Sequence, residues 1–232
     1  MKKNFLSKSI AVLAVLITAL PAASLAQGHV YMYDRGGHNR PSRHGYYAPE
    51  EVYFGFRMGV NAAQVKSEAT YLESNSSRAG LMVGLVGGTQ IAPHAPVFFE
   101  SGLMYVEKGG KSDYGGDFTY NLNYLEVPMV FKYAIDIPNS PGISIQPMLG
   151  AYMGLGIGGY VKDFEKREAY HSFGSDPDQF KRFDAGLKIG CGLGIQMFYA
   201  ELAYNMGLAN IGHDMFDETH NRGISLTIGV NF

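Results

Sequence analysis

The chain has 232 residues, of which 46% are hydrophobic and 17% charged, and a formal net charge of −2 at pH 7. That length suits one domain, and the faintly acidic balance argues against nucleic acid, which calls for a basic face. Cys191 is the single cysteine, which excludes an intramolecular disulfide and reads as a small buried apolar residue.

The first residues follow the pattern of a secretory leader. Lys2, Lys3 and Lys8 supply a positive start, and Ile10 to Leu20 is apolar apart from Thr18. Pro21 ends the run, and Ser24-Leu25-Ala26 presents small residues where a signal peptidase reads them, which predicts cleavage before Gln27. The run is too short for a membrane helix, which needs roughly 20 apolar residues. Cleavage would remove three of the 19 basic residues and none of the 21 acidic ones, leaving a formal charge of −5. Residues 27–51 hold Gly, Arg, His and Tyr with Pro41 and Pro49, and too little apolar surface to offset the cost of ordering. The expected plan is a signal peptide over 1–26, a flexible periplasmic segment over 27–51 and a barrel domain over 52–232.

From Tyr53 onward the apolar period is two. Phe54, Phe56, Met58 and Val60 alternate with Gly55, Arg57, Gly59 and Asn61. Ile224, Leu226, Ile228, Val230 and Phe232 alternate with Gly223, Ser225, Thr227, Gly229 and Asn231, each set marking a strand with one apolar face. Between them the same pattern predicts strands near 79–90, 97–108, 119–134, 142–156, 182–196 and 197–208. Connections near 62–78, 109–118, 157–181 and 209–221 are long and polar. Those near 91–96, 135–141 and 196–197 are short, and Pro93, Pro96, Pro138 and Pro141 punctuate the first two. Eight strands with long loops at one rim and tight turns at the other predict an all-β fold, an eight-stranded antiparallel up-and-down transmembrane β-barrel. Its expected location is the outer membrane, crossed many times, with both termini periplasmic. The mean hydropathy of −0.06 does not oppose this, because only alternate strand residues face lipid.

A soluble carrier barrel would alternate too, so the apolar face must be assigned. Roughly five apolar residues on each of about eight strands is more than the narrow interior of such a barrel can hold, so they must coat the outside. The opposite face carries Gly150, Gly154, Gly156, Gly158, Gly186, Gly190, Gly192 and Gly194, which would leave room inside for longer neighbours. By the same parity Arg57, Glu100, Glu126, Lys132, Asp184, Lys188 and Glu201 point inward as a lumen charge network, and buried charges require partners. The interior is therefore expected to be plugged. Tyr105, Tyr133, Tyr204, Phe54, Phe183 and Phe232 sit on the apolar face near strand ends, as an aromatic girdle would.

Asn123-Tyr124-Leu125-Glu126-Val127-Pro128, Tyr204-Asn205-Met206-Gly207-Leu208-Ala209-Asn210-Ile211 and the terminal Val230-Asn231-Phe232 resemble the PorT-like outer-membrane β-barrel family common in Bacteroidetes-type bacteria, over roughly residues 53–232. The resemblance implies an integral outer-membrane protein, with some relatives linked to secretion or surface assembly. It also implies that the terminal aromatic residue is a signal for the barrel-insertion machinery.

Residue types for chemistry are present without a telling spacing. His213 and His220 share a loop with Asp214, Asp217 and Glu218, a mixed donor set for a divalent ion, but the compact spacing of a metal motif is missing and no metal or cofactor is expected. His171, Ser172 and Asp176 could serve a barrel-embedded lipid-modifying enzyme or protease only if folding brought them together. The loop 157–181 mixes Lys162, Asp163, Glu165, Lys166, Arg167, Glu168, Asp176 and Asp178 with Tyr160, Phe164, Tyr170, Phe173 and Phe180, a composition that suits protein partners and equally an ordinary exposed loop. The sequence thus predicts a non-enzymatic barrel in contact with outer-membrane lipid, with a structural, surface-interaction or secretion-accessory role. A small porin or ligand channel is the alternative.

Overall fold

The computed structural model describes residues 52–67, 76–92, 94–112, 118–163, 168–174, 179–212 and 218–232. The expected leader and the segment 27–51 lie outside the described residues. Eight long strands form the wall: β1 (Val52–Ser67), β2 (Ser76–Gln90), β3 (Val97–Ser112), β4 (Phe118–Tyr133), β6 (Ile143–Gly158), β9 (Phe183–Ile195), β10 (Phe198–Gly207) and β11 (Thr219–Asn231). Each pairs antiparallel with its neighbour, and β11 closes on β1 from Gly55↔Asn231 to Ser67↔Thr219. The result is a closed antiparallel barrel, and no helix occurs among the described residues. Closure leaves no wall strand with an unpaired edge, which is what a sheet needs in hydrocarbon.

Three short strands complete the sheet: β5 (Ile135–Asp136), β7 (Tyr160–Asp163) and β8 (Glu168–His171). The last two form a hairpin that takes over from β6 alongside the start of β4, through Phe118↔Asp163 to Tyr120↔Val161. The tight turns and both ends of the wall occupy one end of the barrel, here the turn end, and the long connections occupy the other. At the turn between β9 and β10, Gln196 takes a φ of 54° while its amide donates to the Gly142 carbonyl at 2.6 Å. That bond offsets the cost of a left-handed non-glycine residue.

Side chains from the turn end to mid-wall alternate as parity predicts. Phe54, Phe56, Met58 and Val60 of β1 are exposed on the outer face, as are Ile224, Leu226 and Ile228 of β11. Phe54, Tyr133 and Phe232 mark the turn-end rim and Phe183 the loop-end rim, with Tyr204 one pair below Arg222. Cys191 is also exposed on the outer face, in register between Pro147 and Leu202. This corrects the expectation that it is buried: its odd position in β9 groups it with Ile189 and Leu193, not with the core.

Near the loop end the two faces exchange character. In β1 the outward residues become Gln64 and Lys66, while the inward Ala63 and Val65 are each 1% exposed. In β4 the inward Tyr120, Leu122 and Tyr124 are buried. The strands therefore run further than their outer apolar stripe. The reason is that a strand rising out of hydrocarbon keeps its hydrogen bonds but meets water outside, so its apolar side turns inward. The region expected as the loop 62–78 accordingly begins with the end of β1, and 157–181 contains the end of β6 and the β7–β8 hairpin.

Candidate functional site: the barrel lumen

Arg57, Glu100, Glu126, Lys132, Asp184, Lys188 and Glu201 all lie buried on the inner face. The structure adds Lys108 to them, 4% exposed, so four cations and four carboxylates share the lumen among the described residues. They form two groups.

The turn-side group is a chain of bonds drawn from five strands. Glu100 of β3 accepts from Arg57 Nη2 of β1 at 3.0 Å, from Lys132 Nζ of β4 at 2.7 Å and from the Tyr53 hydroxyl at 2.7 Å. Glu201 of β10 accepts from Lys188 Nζ of β9 at 2.8 Å and from the Tyr199 hydroxyl at 2.8 Å, with Lys132 Nζ at 3.7 Å. Tyr199 ties the halves of this chain together. Its hydroxyl accepts from Lys132 at 2.8 Å, and its ring has the Arg57 guanidinium at 4.3 Å and Lys132 Nζ at 4.2 Å from its centroid. Cations held over a ring and beside a carboxylate recover part of the hydration lost on burial.

The loop-side group has a single cation. Lys108 Nζ lies 2.7 Å from Glu126 and 3.1 Å from Asp184, with the Tyr152 ring centroid 3.9 Å away. Asn221 of β11 donates its amide to Asp184 at 2.9 Å and to the Tyr124 hydroxyl at 3.3 Å. Between the groups, Met82 and Val86 of β2 and Met104 and Val106 of β3 form an apolar patch on the inner wall. A cavity of about 20 Å³ remains there, lined in part by Arg57, Glu126, Lys188 and Thr227, with room for about one water molecule.

A lid of apolar side chains closes the loop end. It consists of Val65, Tyr120, Leu122, Tyr124, Val161, Phe173, Phe180 and Ile211. Tyr120 meets Phe180 edge-on at 5.7 Å, and Tyr124 meets Phe173 at 5.3 Å. The sequence places Phe173 and Phe180 in an exposed loop, either a partner surface or an ordinary one. They instead turn into the lumen, buried with Tyr120, Leu122 and Tyr124, and Phe180 donates its amide to the Ser172 carbonyl at 2.7 Å. Inward glycines supply the space for these rings. A Cβ at Gly88, Gly156 or Gly192 would run into the ring of Tyr53, Phe173 or Tyr199.

The catalytic and metal candidates stay apart where they are described. The Ser172 hydroxyl is fully buried and donates to the Asn121 carbonyl at 2.7 Å, while His171 is exposed; Asp176 lies outside the described residues. His220 Nδ1 sits 3.0 Å from the Ala209 carbonyl, and His213, Asp214 and Asp217 lie outside the described residues. No group of three metal-ligating side chains occurs among the described residues. Sequence reasoning missed Lys108, although its even position in β3 matches Glu100. The predicted strand near 97–108 ends at this residue, whereas β3 continues to Ser112. Tyr53, Tyr199 and Asn221 carried the same parity signal.

Solved structures with a similar fold include Neisserial surface protein A, at 16% identity over 77% of this chain and 97% of that one, with a TM-score of 0.47. Ail, the attachment invasion locus protein of Yersinia pestis, solved with the heparin analogue sucrose octasulfate, is 14% identical over 78% and 99%, with a TM-score of 0.41. The N-terminal β-barrel domain of Pseudomonas aeruginosa OprF is 14% identical over 76% and 97%, with a TM-score of 0.32. No curated protein matches the sequence. One protein family does match, over residues 39–212, and with it the greasy outer wall and the closed ladder find their setting: the chain belongs to the outer membrane protein beta-barrel domain family.

Proposed function

We propose that the protein is a non-conducting, non-enzymatic barrel that anchors its long connections at the cell surface, for surface interaction or as an accessory of an export assembly. One observation carries this reading: among the described residues the lumen holds two ion-pair groups, an apolar patch and an aromatic lid, with a cavity of about 20 Å³ between the groups. A solute pathway would require breaking several buried ion pairs at once, each costing about 3–5 kcal/mol. The small-porin alternative therefore has less support. The buried bond of Ser172 to a backbone carbonyl also supports a non-enzymatic role, since it withholds that hydroxyl from a base.

In this proposal the long connections face outward, both termini are periplasmic, and the leader is removed before Gln27, leaving 27–51 as a periplasmic segment. The PorT-like affiliation is part of it. The motif residues that suggest the affiliation serve the lumen here. Tyr124 and Glu126 join the loop-side group and Pro128 lines the cavity. Asn205 bonds Ser225 inside, and Asn210 Oδ1 accepts from the amides of Gly212 and Thr219 to hold the last connection. They are structural in this chain, which suits a family marked by architecture.

Single-channel recording in planar bilayers tests the proposal. The expected trace has no steady conducting level, and a stable unitary current would overturn it. Mass measurement of the mature protein should give a chain that starts at Gln27, and co-purification from detergent-solubilised outer membrane should recover an export component or a surface partner.

A further inference from the structure

Among the described residues, the turn-end rim has Asp136 and no outward Lys or Arg, whereas the loop end carries Lys66 and Arg222 on adjacent strands. Register sets them one step apart: Ala62↔Ile224 is the last apolar pair of the β1–β11 ladder, followed by Gln64↔Arg222 and Lys66↔His220 on the same outward face. The aromatic Tyr204 lies opposite Ile224, directly below Arg222, and Met206 lies opposite Arg222. The ten-residue climb from Phe232 to Arg222 covers roughly 25 Å of the membrane normal at the usual rise and strand tilt, about the height of a barrel's apolar band. The two cations therefore sit where hydrocarbon gives way to headgroups.

Neither Lys66 nor Arg222 has a carboxylate within ion-pair distance among the described residues, and the Arg222 Nε is buried without an acceptor. Elsewhere on the same rim Arg78 is matched by Glu107 at 3.8 Å. The exposed Glu218 follows on the same face beyond His220, whose Nδ1 is engaged by the Ala209 carbonyl. A guanidinium and an ammonium above an aromatic ring, flanked by apolar wall, complement a phosphate carried on acyl chains. The phosphate accepts from the fork and the point charge while the chains lie along Tyr204, Ile224 and Val60.

We infer that Lys66 and Arg222 form a binding site on the outer wall for the phosphate of an anionic glycolipid in the leaflet facing the long connections. The choice of glycolipid rests on the orientation proposed above, whereas phosphate-lipid binding by the pair does not.

The test uses the mature chain in phosphatidylcholine nanodiscs doped with bisphosphorylated lipid A or with the same lipid stripped of phosphate, and native mass spectrometry counts the lipid retained. The wild type should retain the phosphorylated lipid, and Lys66→Gln with Arg222→Gln should weaken retention about tenfold or more. The charge-conserving Lys66→Arg with Arg222→Lys should keep it. Equal retention by wild type and the Gln variant, equal retention of the stripped lipid, or displacement by an equal concentration of inorganic phosphate would each overturn the site. Amine labelling of Lys162 on intact cells reads orientation separately. Absence of labelling there would overturn the orientation and the choice of glycolipid, even with phosphate-lipid binding intact in nanodiscs.

Discussion

The membrane section of the barrel and the section beyond it are built from the same strands with opposite rules. In the first, Leu226 and Leu202 face outward while Glu100, Lys132 and Glu201 fill the tube. In the second, Gln64 and Lys66 face outward while Val65, Leu122 and Phe180 fill it. Lys108, Glu126 and Asp184 lie at the boundary. The backbone ladder passes through both sections unchanged along β1, so what changes is the solvent outside. Hydrocarbon leaves no reason to bury apolar side chains away from the outer wall, and water restores it. The lumen thus takes two kinds of filling: paired charge around the Met82, Val86, Met104 and Val106 patch where the outside is greasy, and an ordinary apolar core where it is wet.

Substitutions can break or sharpen this contrast. The largest effect is expected at the boundary. Lys108→Met strands the carboxylates of Glu126 and Asp184 without a cation and should cost about 4 kcal/mol, measured by urea unfolding in lipid vesicles followed by circular dichroism. Combining it with Glu126→Gln and Asp184→Asn should recover most of that loss; no recovery would mean that packing and not charge holds this group. Next, Leu226→Lys on the outer wall of the membrane section should cost about 3 kcal/mol, whereas Gln64→Lys on the same face beyond it should stay within about 0.5 kcal/mol. Similar costs for both would erase the distinction between the sections.

A matched pair of truncations reads the apolar side. Leu122→Ala, inside the lid, should cost about 2–3 kcal/mol through the void it leaves. Leu202→Ala, on the outer wall, should cost less than about 1 kcal/mol because lipid chains fill the gap. The effect of Gly192→Ala should fall between those two. The added methyl pushes on the Tyr199 ring and loosens its contacts with Arg57 and Lys132, at about 1–2 kcal/mol. No measurable change would show that the inward glycines are not sized to the rings.

Much of the wall was legible because a strand in a bilayer obeys one simple rule at every second residue. Alternation located all eight long strands, and the same parity pointed Arg57, Lys132 and Glu201 toward the lumen. The reading weakened where the rule inverts. Gln64 and Lys66 look like a polar loop to a search for outer apolar stripes, although Ala63 and Val65 continue the strand. Lys108 was lost for the same reason, at the end of a strand drawn too short. Phe173 and Phe180 read as a sticky surface because nothing in their local spacing says that these two rings pack inside the barrel mouth.

By itself, then, the order of residues determined the strand count, the antiparallel meander and which face meets lipid, since these follow from local periodicity and connection length. Which carboxylate takes which cation was left to tertiary structure. Glu100 and Lys132 come from neighbouring strands, but Lys108 reaches Asp184 and Asn221 reaches Tyr124 only across the closed tube. Contacts across a lumen depend on closure, stagger and the room that glycines leave, and none of these is written in any single strand.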